Sequence, residues 1–244
     1  MRAYAAHMSL FQTKLGPVVV GHRGAPLVAA ENTLESFRAA AEQGASWVEL
    51  DARLCGDGTI VVHHDARTAD GVALVERSAA ELAALGIESL SDVLEGLPPR
   101  LGVDVECKNL PGQPDFFDDL RLGLAVRDLL APLRGRRPLL VSSFDPLLVE
   151  AISAALPTGL LYGDTLALDG AAEIGREVGA AVLCPHHGAD LDADGLEQVH
   201  AAGFAVLVWT VDDPGHARAF AGIGVDAVCT NDPAGIAAAL RPPR

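Results

Sequence analysis

Trp47-Val48-Glu49-Leu50-Asp51 sets two carboxylates into a run otherwise suited to a buried β-strand. Residues two apart on a strand share a face, so Glu49 and Asp51 point one way while Val48 and Leu50 point the other. The apolar side is the one that amphipathic helices cover. The acidic side then looks into an enclosed interior, where an ionised group without a partner costs several kcal/mol. Residues 101–108 repeat the pattern, with Asp104, Glu106 and Lys108 alternating with Val103, Val105 and Cys107. Two strands thereby bring acidic groups to one enclosed face, and the fold must supply that enclosure.

Outward from these two strands, short β-rich runs recur at residues 17–21, 47–54, 101–108, 139–142, 159–162, 181–184, 205–210 and 226–230. Between them lie segments with helical spacing, such as Leu34, Phe37 and Ala41, or Leu147, Ile152 and Leu156. Strands alternating with amphipathic helices pair in parallel through crossovers. Gly44, Gly179, Gly203 and Gly224 stand where a helix ends in a left-handed residue, and Asp145-Pro146, Asp213-Pro214 and Asp232-Pro233 place a capping carboxylate before a proline at the first helical position. Eight such units predict an α/β fold, a single (β/α)8 TIM barrel over residues 18–244, because an open parallel sheet of that size leaves two edges to protect. A doubly wound open sheet is the alternative. Residues 57–97 read as a short excursion after the second strand, with an extra strand at 59–62. Residues 1–17 read as an N-terminal extension in which Met8 offers a second start.

Half of the 244 residues are apolar, enough for one large core. Against 18 basic side chains stand 33 acidic ones, and the net charge of −15 argues against nucleic acid as a partner. Residues 1–14 lack the apolar stretch of a secretory signal, and no run approaches the ~20 apolar residues that span a bilayer. The expectation is a cytoplasmic protein without stable membrane anchoring. Cys55, Cys107, Cys184 and Cys229 form no Cys-x-x-Cys pair and read as reduced, packed thiols.

Glu49, Asp51 and Glu106 offer hard oxygen ligands near the ends of adjacent strands, a set suited to one divalent cation, Mg²⁺ or Ca²⁺, with Mn²⁺ also compatible. The competing reading is a ring of charges neutralised by Lys108 and Arg23 without a metal. His22 ends the first strand on the Val20 face, and Val61-Val62-His63-His64-Asp65 delivers further imidazoles after the excursion strand. Two imidazoles beside a metal divide base and acid duties near neutral pH. Arg23 adds a planar fork suited to phosphate oxygens, and Gly24 lets the backbone turn sharply beside it. On alternation His63 faces away from His64. Phe144 and Trp209 stand near the ends of the fourth and seventh strands, positioned either to pack against a substrate or to fill the core. His186 and His187 reach the same end by position.

The motifs His22-Arg23-Gly24, Glu31-Asn32-Thr33-Leu34-Glu35-Ser36-Phe37, Glu49-Leu50-Asp51, His64-Asp65, Val105-Glu106-Cys107-Lys108, Ser142-Ser143-Phe144-Asp145, Trp209-Thr210-Val211-Asp212 and Thr230-Asn231-Asp232-Pro233 follow one another along the chain. In that order they resemble the glycerophosphodiester phosphodiesterase family over residues 18–236. The resemblance implies that His22 and His64 are an acid/base pair, Arg23 and Lys108 phosphate-binding groups, and Glu49, Asp51 and Glu106 metal ligands. Glu31 resembles a site residue too, whereas Asn32 and Glu35 also read as a helix cap with a reciprocal partner. The implied activity is metal-dependent hydrolysis of small glycerophosphodiesters to sn-glycerol 3-phosphate and an alcohol, with Phe144 and Trp209 beside the substrate. Family members often carry a longer insertion after the position of His64-Asp65, and the short excursion here predicts a more open site entrance. Two rivals stand beside this reading. One is a phospholipase D-like or cyclising phospholipase barrel acting on lipids, disfavoured by the absence of cysteine pairing and of an exposed apolar helix. The other is a catalytically silent phosphate-ester-binding barrel, disfavoured by two histidines retained together with three carboxylates. Oligomeric state is not legible in the sequence.

Overall fold

The computed structural model describes residues 10–11 and 16–241. Most of the N-terminal extension, the second start at Met8 and the stretch read for a secretory signal lie outside the described residues. The strands are β1 (Val18–Gly21), β2 (Trp47–Leu54), β3 (Ile60–Val62), β4 (Gly102–Cys107), β5 (Leu139–Ser143), β6 (Thr158–Tyr162), β7 (Val182–Pro185), β8 (Ala205–Val208) and β9 (Ala227–Thr230). All except β3 run parallel in the order β1-β9-β8-β7-β6-β5-β4-β2, and pairing of β1 with β2 closes the ring. The chain is thus a (β/α)8 TIM barrel. β1 leaves β2 after Gly21↔Val48, and β3 pairs antiparallel with the far end of β2 from Ala52 to Leu54. The expected run at 205–210 ends early, at Val208.

Helices α1 (Leu34–Glu42), α2 (Ala79–Ala83), α3 (Leu90–Gly96), α4 (Arg121–Leu130), α5 (Pro146–Ser153), α6 (Leu168–Glu177), α7 (Ala193–Ala201), α8 (Pro214–Ile223) and α9 (Pro233–Leu240) surround the strands or belong to the excursion. Asp145, Asp213 and Asp232 cap α5, α8 and α9 by accepting from backbone N–H groups, each ahead of a proline. Two local expectations are corrected. Thr33, not Asn32, caps α1 by accepting from the Ser36 N–H. Asn32 is left-handed at φ 58° and its side chain is drawn into the barrel instead. In α5 the buried face is Leu148, Val149 and Ile152, while Leu147 points to solvent.

Register places the carboxylates side by side, with Glu49 opposite Asp104 and Asp51 opposite Glu106. Val48, Leu50, Val103, Val105 and Cys107 fill the shell between strands and helices. Each such fully buried aliphatic side chain contributes about 1.5–3 kcal/mol. Val20, Trp47, Leu140, Val182 and Cys184 fill the lower barrel interior, where Phe11 packs on Trp47 with ring centroids 5.1 Å apart. A dry apolar plug therefore supports the polar layer above it. The four cysteines are free and buried, and no helix among the described residues is long and apolar enough to cross a membrane.

One surface pair makes stability depend on pH. His200 Nε2 lies 2.9 Å from Asp226 Oδ2, which also accepts from the Val206 N–H. This hydrogen bond raises the imidazole above its ordinary value near 6.5. A raised folded value means that the contribution is full below the unfolded value and is lost as pH rises through the folded one. His200→Ala should therefore cost roughly half a kcal/mol at pH 5.5, a figure kept small by solvent screening, and less at pH 8.5. Paired thermal melts at the two pH values check this, and an equal cost at both would remove the ion pair from the account.

Candidate active site

Strands β1, β2 and β4 end at a cavity of about 340 Å³. His22, Arg23, Glu49, His64, Glu106 and Lys108 line it, with Phe144 and Trp209 on the facing wall. Their position at the C-terminal ends of barrel strands is the usual place for catalytic groups in this fold. Asp51 sits directly behind, fully buried.

Each acidic side chain of β2 accepts a hydrogen bond at one oxygen and none at the other. Glu49 Oε2 accepts from the Arg23 N–H at 2.9 Å, and Asp51 Oδ2 accepts from Asn32 Nδ2 at 2.7 Å. Glu49 Oε1, Asp51 Oδ1 and Glu106 Oε1 are buried without a hydrogen-bond partner. Lys108 Nζ lies 3.0 Å from Asp51 Oδ1 and 2.7 Å from Glu106 Oε1, close enough for attraction but poorly directed. Glu49, Asp51 and Glu106 each offer an oxygen within 4.8 Å of the others. Three buried carboxylates whose free oxygens converge, with one lysine shared between two of them and none on Glu49 Oε1, fit a hard divalent cation.

Charge counting agrees with this. Glu49, Asp51, Asp104 and Glu106 face only Arg23 and Lys108, so full ionisation leaves two negative charges without a partner. Burial, then Asp51 and Glu106, push Glu49 well above the carboxylate range. Burial raises Glu106 too, against Lys108, and lifts Asp104 to about 7. Burial also works against ionised Asp51, but Lys108, Arg23 and Asn32 outweigh it and hold that carboxyl low. Neutralisation by Lys108 and Arg23 alone therefore leaves the site frustrated.

The two histidines are held in parallel ways. Asp212 accepts from Asn231 Nδ2 at 2.8 Å and from the Asn231 N–H at 2.7 Å. A carboxylate only accepts, so the Asn231 amide turns its NH₂ to Asp212 and its oxygen to His22 Nδ1, 2.8 Å away. His22 thus carries its proton on Nδ1 and keeps Nε2 for exchange. His64 Nδ1 meets Asp65 Oδ1 at 2.7 Å with the same consequence. Burial lowers both imidazoles below the ordinary histidine value, offset at His22 by Asn231 and at His64 by Asp51.

The remaining expected residues fall into place around this core. Glu31 is half exposed outside the cavity and clasps Arg23 Nη1 with both oxygens at 3.1 and 3.2 Å. Arg23 is left-handed at φ 54°, a conformation that turns its N–H onto Glu49. Gly24 follows because a Cβ there would collide with Ser36. Phe144 and Trp209 meet edge to face with centroids 5.5 Å apart. His63, His186 and His187 do not line the cavity; His186 meets Trp209 edge to face with centroids 5.0 Å apart.

Sequence reading missed Asn231, Asp212, Asn32 and Arg53. Alternation from Asp51 was the available signal for Arg53, which is buried with Nη1 2.6 Å from Asp115 Oδ2 and Nε 2.7 Å from the His64 carbonyl. The pair ties the loop that carries His64 to the loop after β4. Arg53→Met should cost about 3 kcal/mol or more by stranding Asp115, whereas R53M/D115L should recover most of the stability and still lose turnover. Denaturant midpoints read beside kcat separate these effects, and full activity in the double variant would deny any positioning of His64.

Comparison with known proteins follows the same line. Residues 22–235 match the model of the Glycerophosphoryl diester phosphodiesterase family. A glycerophosphodiester phosphodiesterase of Caldanaerobacter subterraneus is 25% identical over 239 residues, covering 88% of this chain and 94% of that protein. A 51-residue stretch is 51% identical to mouse glycerophosphoinositol inositolphosphodiesterase, and there the match spans only 10% of that protein's length. Among solved structures, an Oleispira antarctica phosphodiesterase in complex with the product sn-glycerol-3-phosphate is 27% identical with a TM-score of 0.76, covering 92% of this chain and 97% of that one. The glycerophosphodiester phosphodiesterase of Thermotoga maritima is 26% identical with a TM-score of 0.75, covering 89% of this chain and 96% of that one.

Proposed function

Because the chain belongs to the Glycerophosphoryl diester phosphodiesterase family and is thus a phosphoric diester hydrolase, we propose that it cleaves glycerophosphodiesters to sn-glycerol 3-phosphate and an alcohol. The observation that carries this reading is the convergence of three buried carboxylates, with Lys108 alone shared between the inner oxygens of Asp51 and Glu106, beside two imidazoles whose Nδ1 positions are already occupied.

Glu49, Asp51 and Glu106 would hold one divalent cation, Mg²⁺, Ca²⁺ or Mn²⁺, which when bound offsets charge on the phosphoryl oxygens. Arg23, braced by Glu31, and Lys108 bind those oxygens from the side of the chain. One of His22 and His64 takes the proton of the attacking hydroxyl, from water or the neighbouring glycerol oxygen, and the other returns a proton to the departing alkoxide. Phe144 and Trp209 supply an apolar wall for the substrate's carbon atoms. Leu110 and Phe144 also border an adjoining groove of about 310 Å³, which gives the alcohol arm a way out. The product bound by the Oleispira relative supports the glycerol 3-phosphate side of the reaction. Free buried cysteines accord with a reducing, cytoplasmic setting.

Release of sn-glycerol 3-phosphate from glycerophosphocholine should vanish after exhaustive chelation and return on addition of Mg²⁺, Ca²⁺ or Mn²⁺. Undiminished turnover in chelated protein would refute the cation's part, and no turnover with any of the three would favour the silent binding barrel.

A further inference from the structure

At the opposite end of the barrel, below the starts of β4, β5 and β6, lies a second cavity of about 540 Å³. Four arginines line it, Arg100, Arg134, Arg136 and Arg137, with no aspartate or glutamate among its lining residues. This is an unusual concentration in a chain that has 18 basic side chains against 33 acidic ones. None of the four basal arginines forms an ion pair among the described residues, as is also true of Arg38, Arg67, Arg176, Arg218 and Arg241, but only these four share one concavity.

Backbone carbonyls orient two of the guanidinium groups without neutralising them. Arg134 Nη1 donates to the Ala155 carbonyl at 3.1 Å, and Arg137 Nη2 reaches the Leu97 carbonyl at 3.5 Å. Arg137 Nη1 is buried with no hydrogen-bond partner. Arg100, Arg134 and Arg136 are exposed and Arg137 is half-buried, and the acidic side chains that would neutralise them stand elsewhere on this chain. The exposed guanidinium groups of Arg100, Arg134 and Arg136 beside a concave space are open to an acceptor that arrives from outside.

From this convergence we infer that the basal cavity is a binding site for a soluble phosphate-bearing anion, separate from the reaction site. The planar guanidinium fork matches phosphate oxygens in pairs. Four positive charges balance two phosphate monoesters, each carrying about −1.5 to −2. The concave shape favours a free bisphosphorylated solute over the headgroups of a flat lipid surface.

The test uses metal-loaded protein and fructose 1,6-bisphosphate, a monoester probe that the phosphodiesterase reaction does not consume. Titration calorimetry should show one probe per chain, with binding weakened by salt. In R134Q/R137Q the affinity should fall roughly tenfold or more, while turnover of glycerophosphocholine stays at the parent rate. Should that pair lower the melting temperature, exposed Arg136→Gln alone should still weaken the probe by roughly threefold. Unchanged affinity in these variants, displacement of the probe by sn-glycerol 3-phosphate, or no binding at millimolar probe would overturn the inference. So would co-sedimentation with phosphatidylglycerol vesicles by a protein that ignores the soluble probe. Activity of the reaction site is measured separately, so its failure and that of the basal site are distinguishable.

Discussion

Glu49→Gln should abolish cation-stimulated turnover, by roughly a thousandfold or more, and yet leave a chelated protein at least as stable as the parent. The first half follows from removing one of the three proposed hard ligands, since several kcal/mol of transition-state charge stabilisation would depend on the complete set. The second half follows from the crowding of acidic groups. Burial and the neighbouring Asp51 and Glu106 hold Glu49 well above the normal carboxylate range, so its ionised form is a burden without a cation. The amide oxygen of glutamine still accepts from the Arg23 N–H, as Glu49 Oε2 does at 2.9 Å. Its NH₂ then puts a neutral group beside the Asp51 and Glu106 carboxylates in place of a third buried anionic oxygen. Activity and stability therefore move in different directions, which simple misfolding does not produce. Calorimetric cation affinity, kcat and melts in chelator provide the three readings. Retained cation affinity, or a lower melting temperature in chelator, would contradict the assignment.

His22→Ala and His64→Ala should each lower kcat by roughly a hundred- to ten-thousand-fold with little change in KM, because each removes a proton transfer and leaves the phosphate grip intact. The two are told apart by the leaving group. A diester that expels a stable phenolate needs no proton at departure, so it should rescue the variant that lacks the acid and not the one that lacks the base. Asn231→Ala should have a smaller effect, roughly tenfold, since it frees the His22 ring to take the wrong tautomer while the imidazole remains. Parent turnover in either alanine variant would strike that histidine from the mechanism.

Much of the scaffold is legible in the sequence because its signals are local. Alternation along Trp47–Leu54 assigns each side chain to one of two faces, and the Asp-Pro pairs and helix-ending glycines punctuate the strands and helices between them. The same alternation carried Glu49, Asp51 and Glu106 to a shared interior. Local reading also erred where two local explanations competed. Asn32 sits where a helix cap is expected, but Thr33 performs that task three residues before Ser36 while Asn32 holds Asp51. Sequence spacing has no term for a side chain captured from across the barrel.

By itself, then, the sequence determined the periodicity, the number of β/α units and the face on which the carboxylates lie, all properties of neighbours a few residues apart. Closure of the ring decided the rest. Joining β1 to both β2 and β9 brings Asn231 onto His22 across 209 residues, and folding the loop after β4 over the barrel seats Asp115 on Arg53 across 62. Parallel pairing of β4 with β5 sets Arg100 beside the arginines at 134–137 at the opposite end. Such partners are set by which strand ends meet in space, and hydrogen bonds and charge contacts act over a few ångströms whatever the separation along the chain.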